Sequence, residues 1–205
     1  MSATVAQAST DRSDFRTILI GGTKIGLITA ALVIVYLALA KHLPDGGVVR
    51  GAALAVVVLA GGTVAAFLPG RWSVARNAEG IAGAAAMGLW GTIAFSIVDI
   101  VLLRPFNAYP WTWDAVGGGT TWWYLPMWWI LGTFLAWMGG VRIAALAAAG
   151  GESVGRIAGP VVLGALALAW VARAAGLHVL LPVTAGAGFA VTLLALALIS
   201  LVRKA

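Results

Sequence analysis

Six long apolar segments separated by short polar connections make up most of this sequence. They run over residues 18–40, 49–68, 81–103, 122–149, 157–177 and 179–202. Each has about 20 residues or more, which is the length that an α-helix needs to cross roughly 30 Å of hydrocarbon. Segments of about ten residues with alternating polarity, which are typical of a membrane β-barrel, are missing. The pattern therefore predicts an all-α fold, an integral membrane bundle of six transmembrane helices.

Residues that interrupt helices lie between the apolar segments. Pro44 separates the first two segments, Pro69 and Gly70 close the second, and Gly150 and Gly151 separate the fourth from the fifth. Proline lacks the backbone N–H that a helix interior needs, and glycine is favoured just after the end of a helix. We therefore predict connections at these positions, and we expect the second helix to end at Pro69 and Gly70.

The composition excludes most soluble classes of protein. Hydrophobic residues make up 61% of the chain and charged residues 10%, whereas a soluble domain carries about 25% charged residues. Cysteine is absent, which excludes disulfides and thiolate metal sites. We expect three parts: a polar cytoplasmic tail over residues 1–17, a six-span domain over residues 18–202, and a short cytoplasmic end over residues 203–205.

The thirteen lysines and arginines give a net charge of +6. They are scattered between the apolar segments and form no basic face, so we expect no nucleic-acid partner. If the amino terminus is cytoplasmic, four basic residues lie outside, namely Lys41, Arg50, Arg104 and Arg173, and the other nine lie inside. The positive-inside rule therefore predicts cytoplasmic termini in the cell's inner membrane. Trp72 and the arginines of residues 71–80 are expected at headgroup depth.

Asp99 is the one carboxylate inside a predicted span. A charged side chain at membrane depth costs on the order of 2.5–3.5 kcal/mol, so it usually has a partner or a function. Arg173 lies at a similar predicted depth and Arg50 at the same side. We predict a buried ion pair between Asp99 and Arg173, with Arg50 as the substitute partner. Asp99 is then a clamp between helices, a protonatable or solute-coordinating group, or a side chain that reaches the outer headgroups.

Aromatic residues are concentrated in one connection and the helix that follows it. Six of the ten tryptophans lie between Trp111 and Trp129. Because tryptophan favours the membrane interface, we expect an aromatic-rich outer loop folded onto the membrane surface. An anchoring belt accounts for some of these rings, and a surface that binds a partner subunit, lipid, quinone or carotenoid accounts for the rest. The residues of this predicted surface are Trp111, Trp113, Trp122, Trp123, Tyr124, Trp128 and Trp129.

Two glycine pairs with a spacing of four residues lie within the apolar segments. Gly22 and Gly26 are in the first segment, and Gly155 and Gly159 are at the start of the fifth. Small residues at this spacing permit close contact between transmembrane helices. Lys24 lies between the first two glycines, near the end of its span, where its ammonium group can reach the headgroups.

The chain offers few groups for catalysis. Histidine occurs only at His42 and His178, and no phosphate-binding glycine loop is present. We therefore predict no catalytic residues, no metal ligands and no cofactor of the protein's own. The leading hypothesis is a non-catalytic membrane subunit that docks into a larger complex, or into a homo-oligomer, through the tryptophan-rich surface. The alternative is an oligomeric transporter or channel for a small solute or ion, with Asp99 near its pathway.

Overall fold

The computed structural model describes residues 12–103, 105, 124–151, 153–177 and 179–202, and this part of the chain is helical, without strands. The helices are α1 (Phe15–His42), α2 (Val48–Trp72), α3 (Ala78–Val98), α4 (Tyr124–Ala148), α5 (Val154–Ala174) and α6 (Leu181–Val202), and a π-helical turn (Asp99–Leu103) extends α3. Six helices are long and apolar enough to cross a membrane, so the predicted all-α, six-span bundle is confirmed. The predicted aromatic-rich loop and the two ends of the chain lie outside the described residues.

Polar side chains fix where three of the helices begin. The Asp14 carboxylate accepts a hydrogen bond of 2.9 Å from the Thr17 N–H at the start of α1. Asn77 caps α3 in the same way, and Ser153 caps α5. These caps satisfy N–H groups that have no partner within the helix. They explain why α1 and α5 each begin three residues before the predicted apolar segment.

The prediction that the second helix ends at Pro69 and Gly70 is wrong, because α2 continues to Trp72. A Cβ atom at Gly70 would lie 2.9 Å from Ile143 Cδ1 and 3.1 Å from Gly140 Cα. The last turn of α2 therefore packs directly on α4. This contact offsets the single hydrogen bond that proline removes, as neighbouring helices commonly do in membranes.

Two central helices, α2 and α4, hold the bundle together. Helix α2 packs against α1, α3, α4 and α6, while α4 packs against α2, α3 and α6. The main apolar core lies among α2, α4, α5 and α6 and includes an edge-to-face contact between Phe67 and Phe189, whose ring centroids are 6.4 Å apart. Helix α1 closes one side against α2 and α3. Helix α5 lies at an edge and packs mainly against α6.

Glycine brings α1 and α3 into close contact. A Cβ atom at Gly26 would lie 2.7 Å from Ala94 Cβ and 2.8 Å from the Gly91 carbonyl oxygen. One turn earlier, a Cβ atom at Gly22 would lie 2.7 Å from Trp90 Cδ1. Only hydrogen fits at these positions, so the first of the two glycine pairs forms a helix–helix contact within the chain.

Candidate functional site

The buried carboxylate of Asp99 lies where α3 changes from α-helical to π-helical geometry. Asp99 is 1% exposed, and its backbone N–H donates to the carbonyl oxygens of Phe95 and Ser96. It lies four residues, about 6 Å, from the end of the span at Leu103. Single π-helical turns are rare and frequently lie at functional sites. A buried carboxylate within such a turn is therefore a candidate site.

The end of α3 packs against the beginning of α4. Phe95 and Trp128 are in edge-to-face contact, with ring centroids 6.3 Å apart and an interplanar angle of 70°. Ser96 is buried, and its Oγ donates to the Thr92 carbonyl oxygen at 2.8 Å. The structure thus brings the helix of Asp99 next to the part of the predicted aromatic surface that it describes.

Trp128 and Trp129 have different surroundings. Trp128 is 41% exposed. Trp129 is half-buried, and its indole N–H is enclosed without a hydrogen-bond acceptor in the part of the chain that the structure describes. Three residues further on, Gly132 packs against the Thr92 side chain on α3. An enclosed polar group without a partner costs about 1–3 kcal/mol, so the Trp129 N–H is a candidate donor to a bound ligand or partner.

The remaining residues of the predicted aromatic surface are not placed. Trp111, Trp113, Trp122 and Trp123 lie outside the described residues. Tyr124 is the first residue of α4, and only its backbone is described. The described part of this surface therefore consists of Trp128 and Trp129.

Neither predicted arginine partner meets Asp99. Arg50 forms an ion pair with Asp45, which precedes it by five residues in the connection between α1 and α2. Arg173 is exposed in the last turn of α5. Within the described part of the chain, α5 packs on α6 and has no substantial contact with α3. Similar depth in the membrane thus did not bring Asp99 and Arg173 together, because their helices are not neighbours.

One face of α5 is uncovered. No heavy atom of the described residues lies within 4 Å of the position that a Cβ atom would take at Gly155 or at Gly159. Leu163, 69% exposed, and Trp170, 72% exposed, continue the same face. We call Gly155, Gly159, Leu163, Leu166 and Trp170 the α5 face. The glycine pair of this face was predicted from the sequence and the larger residues were not, although their spacing of three and four residues is typical of a single helical face.

Several hydroxyl groups inside the spans form hydrogen bonds within their own helices. Thr63, Thr133 and Ser200 donate to the carbonyl oxygen four residues earlier, at 2.7–2.8 Å. Among the described residues, no group of three or more histidine, aspartate or glutamate side chains could hold a metal ion. This part of the protein offers helix surfaces and one buried carboxylate. A set of converging catalytic groups is not found there.

Comparison of the chain with models of protein families, with curated proteins and with solved structures finds no match. The six apolar helices indicate an integral membrane protein. Because no known protein matches, its function has to be inferred from the geometry of the structure.

Proposed function

We propose that the protein is a non-catalytic integral membrane subunit that docks onto a transmembrane helix of another subunit in a larger membrane complex. The uncovered glycine pair of the α5 face carries the proposal. Glycine within a helix is about 1 kcal/mol less favourable than alanine, so it needs a reason to be there. Gly22 and Gly26 allow α1 to pack closely against α3, whereas Gly155 and Gly159 touch nothing in the described chain.

A partner helix explains the α5 face better than lipid alone. Between transmembrane helices, association depends on close packing, and two glycines one turn apart allow the backbones to approach. Flexible lipid chains cover any apolar surface and do not require such a groove. Leu163 and Trp170 then provide large side chains beside the groove. Aromatic residues are enriched where protein partners meet.

The tryptophan-rich surface forms the second part of the proposed interface. Exposed Trp128 and the enclosed N–H of Trp129 lie at the beginning of α4, directly after the segment that holds the other tryptophans. We propose that this surface contacts a partner subunit, and that a lipid tail, quinone or carotenoid is the kind of ligand that fits between such rings. We propose that both termini lie on the cytoplasmic side of the cell's inner membrane. The nine-to-four distribution of basic residues supports this orientation.

Photo-crosslinking from a single position tests the docking proposal. A photoreactive amino acid replaces Leu163 on the α5 face, or Ile34, an exposed residue of α1, as the matched control. In native membranes we expect the Leu163 position to give an adduct of one defined additional mass, and the Ile34 position to give lipid adducts. Adding Gly159→Leu should abolish the protein adduct. Lipid adducts alone at both positions would refute docking through α5, and an adduct with a second copy would favour a homo-oligomer.

The second candidate function is transport of a small solute or ion, and the burial of Asp99 in a π-helical turn favours it. Ionisable groups inside spans mark proton and ion pathways in many transporters. Vesicles that contain the purified protein and an internal pH dye separate the two candidates. A non-catalytic subunit gives no proton flux. Flux that Asp99→Asn abolishes, while Ser96→Ala preserves it, would favour the transporter.

A further inference from the structure

A cavity of about 490 Å³ opens at the end of the bundle where α1 begins and α2 ends. Arg12, Arg16, Lys24 and Arg71 line it, together with Trp72 and Val74. We call it the basic cavity. The expectation that the basic residues form no face is wrong here, because the α1–α2 hairpin returns Arg71 to the first turns of α1. Three cations from the beginning of the described chain and one from the end of α2 thereby line one space.

Among the described residues, no acidic side chain lines the basic cavity. Two acidic residues at this end of the bundle are engaged elsewhere. The Asp14 carboxylate accepts hydrogen bonds from the N–H and the Oγ of Thr17, at 2.9 and 2.7 Å. The Glu79 carboxylate accepts one from Ser13 Oγ, at 2.8 Å. The lining therefore carries concentrated positive charge that favours an anion.

The walls of the basic cavity are held in place by buried contacts. The backbone N–H of Arg12 donates to the Ser73 carbonyl oxygen at 2.7 Å. Ser73 is fully buried, and its Oγ donates to the Gly80 carbonyl oxygen at 2.9 Å. Val74 has a φ of 53°, which is unusual for a β-branched residue and persists only where its surroundings hold it. The backbone of this wall is thus in place before a ligand binds, which reduces the entropy lost on binding.

The position of the cavity relative to the membrane indicates which kind of anion fits it. Lys24 follows Arg16 by eight residues, so the cations extend about 12 Å along α1 into its span. Trp72 is half-buried beside them, as expected of a side chain at headgroup depth. Beyond Lys24, the exposed side chains of Leu27 and Ile34 continue the same face of α1. A cationic cavity that leads into an apolar stripe matches a phosphate group attached to an acyl chain.

We infer that the basic cavity binds the phosphate group of an anionic phospholipid, whose acyl chain lies along α1. Arginine and lysine form strong charge-assisted hydrogen bonds to phosphate oxygens. Basic cavities between transmembrane helices on the cytoplasmic side are suited to such headgroups. The inference is independent of docking through α5, because the cavity lies between α1 and α2.

Lipid retention in native mass spectrometry tests the inference. The protein is released from nanodiscs that contain equal amounts of phosphatidylglycerol and phosphatidylcholine with identical acyl chains. We expect wild type to retain phosphatidylglycerol selectively and Lys24→Gln/Arg71→Gln to bind it about 25-fold more weakly, since each basic residue near an anionic surface contributes roughly fivefold. The matched control Lys41→Gln/Arg156→Gln removes the same charge outside the cavity and should retain the lipid. Lys24→Arg/Arg71→Lys should retain it too.

Three results would overturn the inference. Equal loss of phosphatidylglycerol in the two glutamine variants would show general attraction by net charge. Equal retention in both would show that the cavity does not hold the lipid. Displacement of the lipid by millimolar inorganic phosphate, with phosphate then bound in its place, would assign the cavity to a soluble anion. Thermal unfolding of each variant is the control for folding. Because Lys24 and Arg71 are exposed, we expect the unfolding temperature to stay close to that of wild type.

Discussion

Two glycine pairs of the same spacing have opposite surroundings in this protein. On α1, Gly22 and Gly26 lie so close to α3 that no Cβ atom would fit. On α5, Gly155 and Gly159 have no neighbour from the described part of the chain within 4 Å of the position of a Cβ atom. The difference shows that a small-residue spacing indicates the capacity for close contact, and that the available helices decide whether the contact forms within the chain. The uncovered pair is therefore the place to look for another protein.

Leucine at the two positions should separate the pairs most strongly. Gly26→Leu forces a side chain into Ala94 Cβ and the Gly91 carbonyl oxygen, so we expect the free energy of unfolding to fall by about 3 kcal/mol or more. Gly159→Leu adds a side chain where no described residue lies, so it should not lower the free energy of unfolding of the isolated protein. Thermal unfolding in detergent measures both. Equal destabilisation would remove the distinction between the pairs.

The α5 pair, whose replacement should affect stability less, should affect association with a partner subunit more. Gly159→Leu fills the groove of the α5 face, and we expect it to weaken docking by about tenfold or more, since close backbone approach is lost. The readout is the fraction of protein that stays with its partner on native gels of solubilised membranes. Leu27→Ala on the exposed stripe of α1 is the control and should leave this fraction unchanged. Unchanged association of Gly159→Leu would contradict docking through α5.

Replacement of glycine by alanine should have a smaller effect than replacement by leucine at Gly26, and it should change the free energy of unfolding in opposite directions at the two pairs. Gly159→Ala should raise the free energy of unfolding by about 1 kcal/mol, because alanine is the better helix former and its methyl group meets nothing in the described chain. Gly26→Ala should lower it by about 1 kcal/mol, because the gain in helix propensity does not offset the contact with the α3 backbone. Parallel unfolding curves in detergent provide the comparison. A shift of the same sign in both variants would contradict the difference between the two glycine pairs.

The caps of the same two helices should differ in their pH dependence, with the smallest effect of the series. Hydrogen bonds from the Thr17 side chain and backbone hold the pKa of Asp14 below its ordinary value of 3.8. A lowered pKa means that this stabilisation is complete above the ordinary value and is lost as the pH falls through the folded value. Asparagine caps a helix but does not titrate. The difference in the free energy of unfolding between Asp14→Asn and wild type should therefore change as the pH falls below the ordinary pKa of 3.8. Ser153→Ala at α5 should show a difference independent of pH, and a pH-independent difference for Asp14→Asn would refute the prediction.

Hydropathy predicts the six helices because lipid leaves the backbone no other hydrogen-bond partner. It does not predict which helices become neighbours. The continuation of α2 through Pro69 depends on Gly140 and Ile143 of α4. The separation of Arg173 from Asp99 follows from the packing of α5 on α6. The basic cavity likewise requires the α1–α2 hairpin, so cations that look scattered along the sequence meet in space.

The central claim is that protein, and not lipid, covers the α5 face in the native membrane. Photolabelling with a lipid-soluble carbene reagent, followed by mass spectrometry of peptides, measures this coverage directly. We predict that Leu163 and Trp170 are protected in native membranes and labelled after purification, whereas Ile34 is labelled in both. Equal labelling of Leu163 and Trp170 before and after purification would contradict the claim.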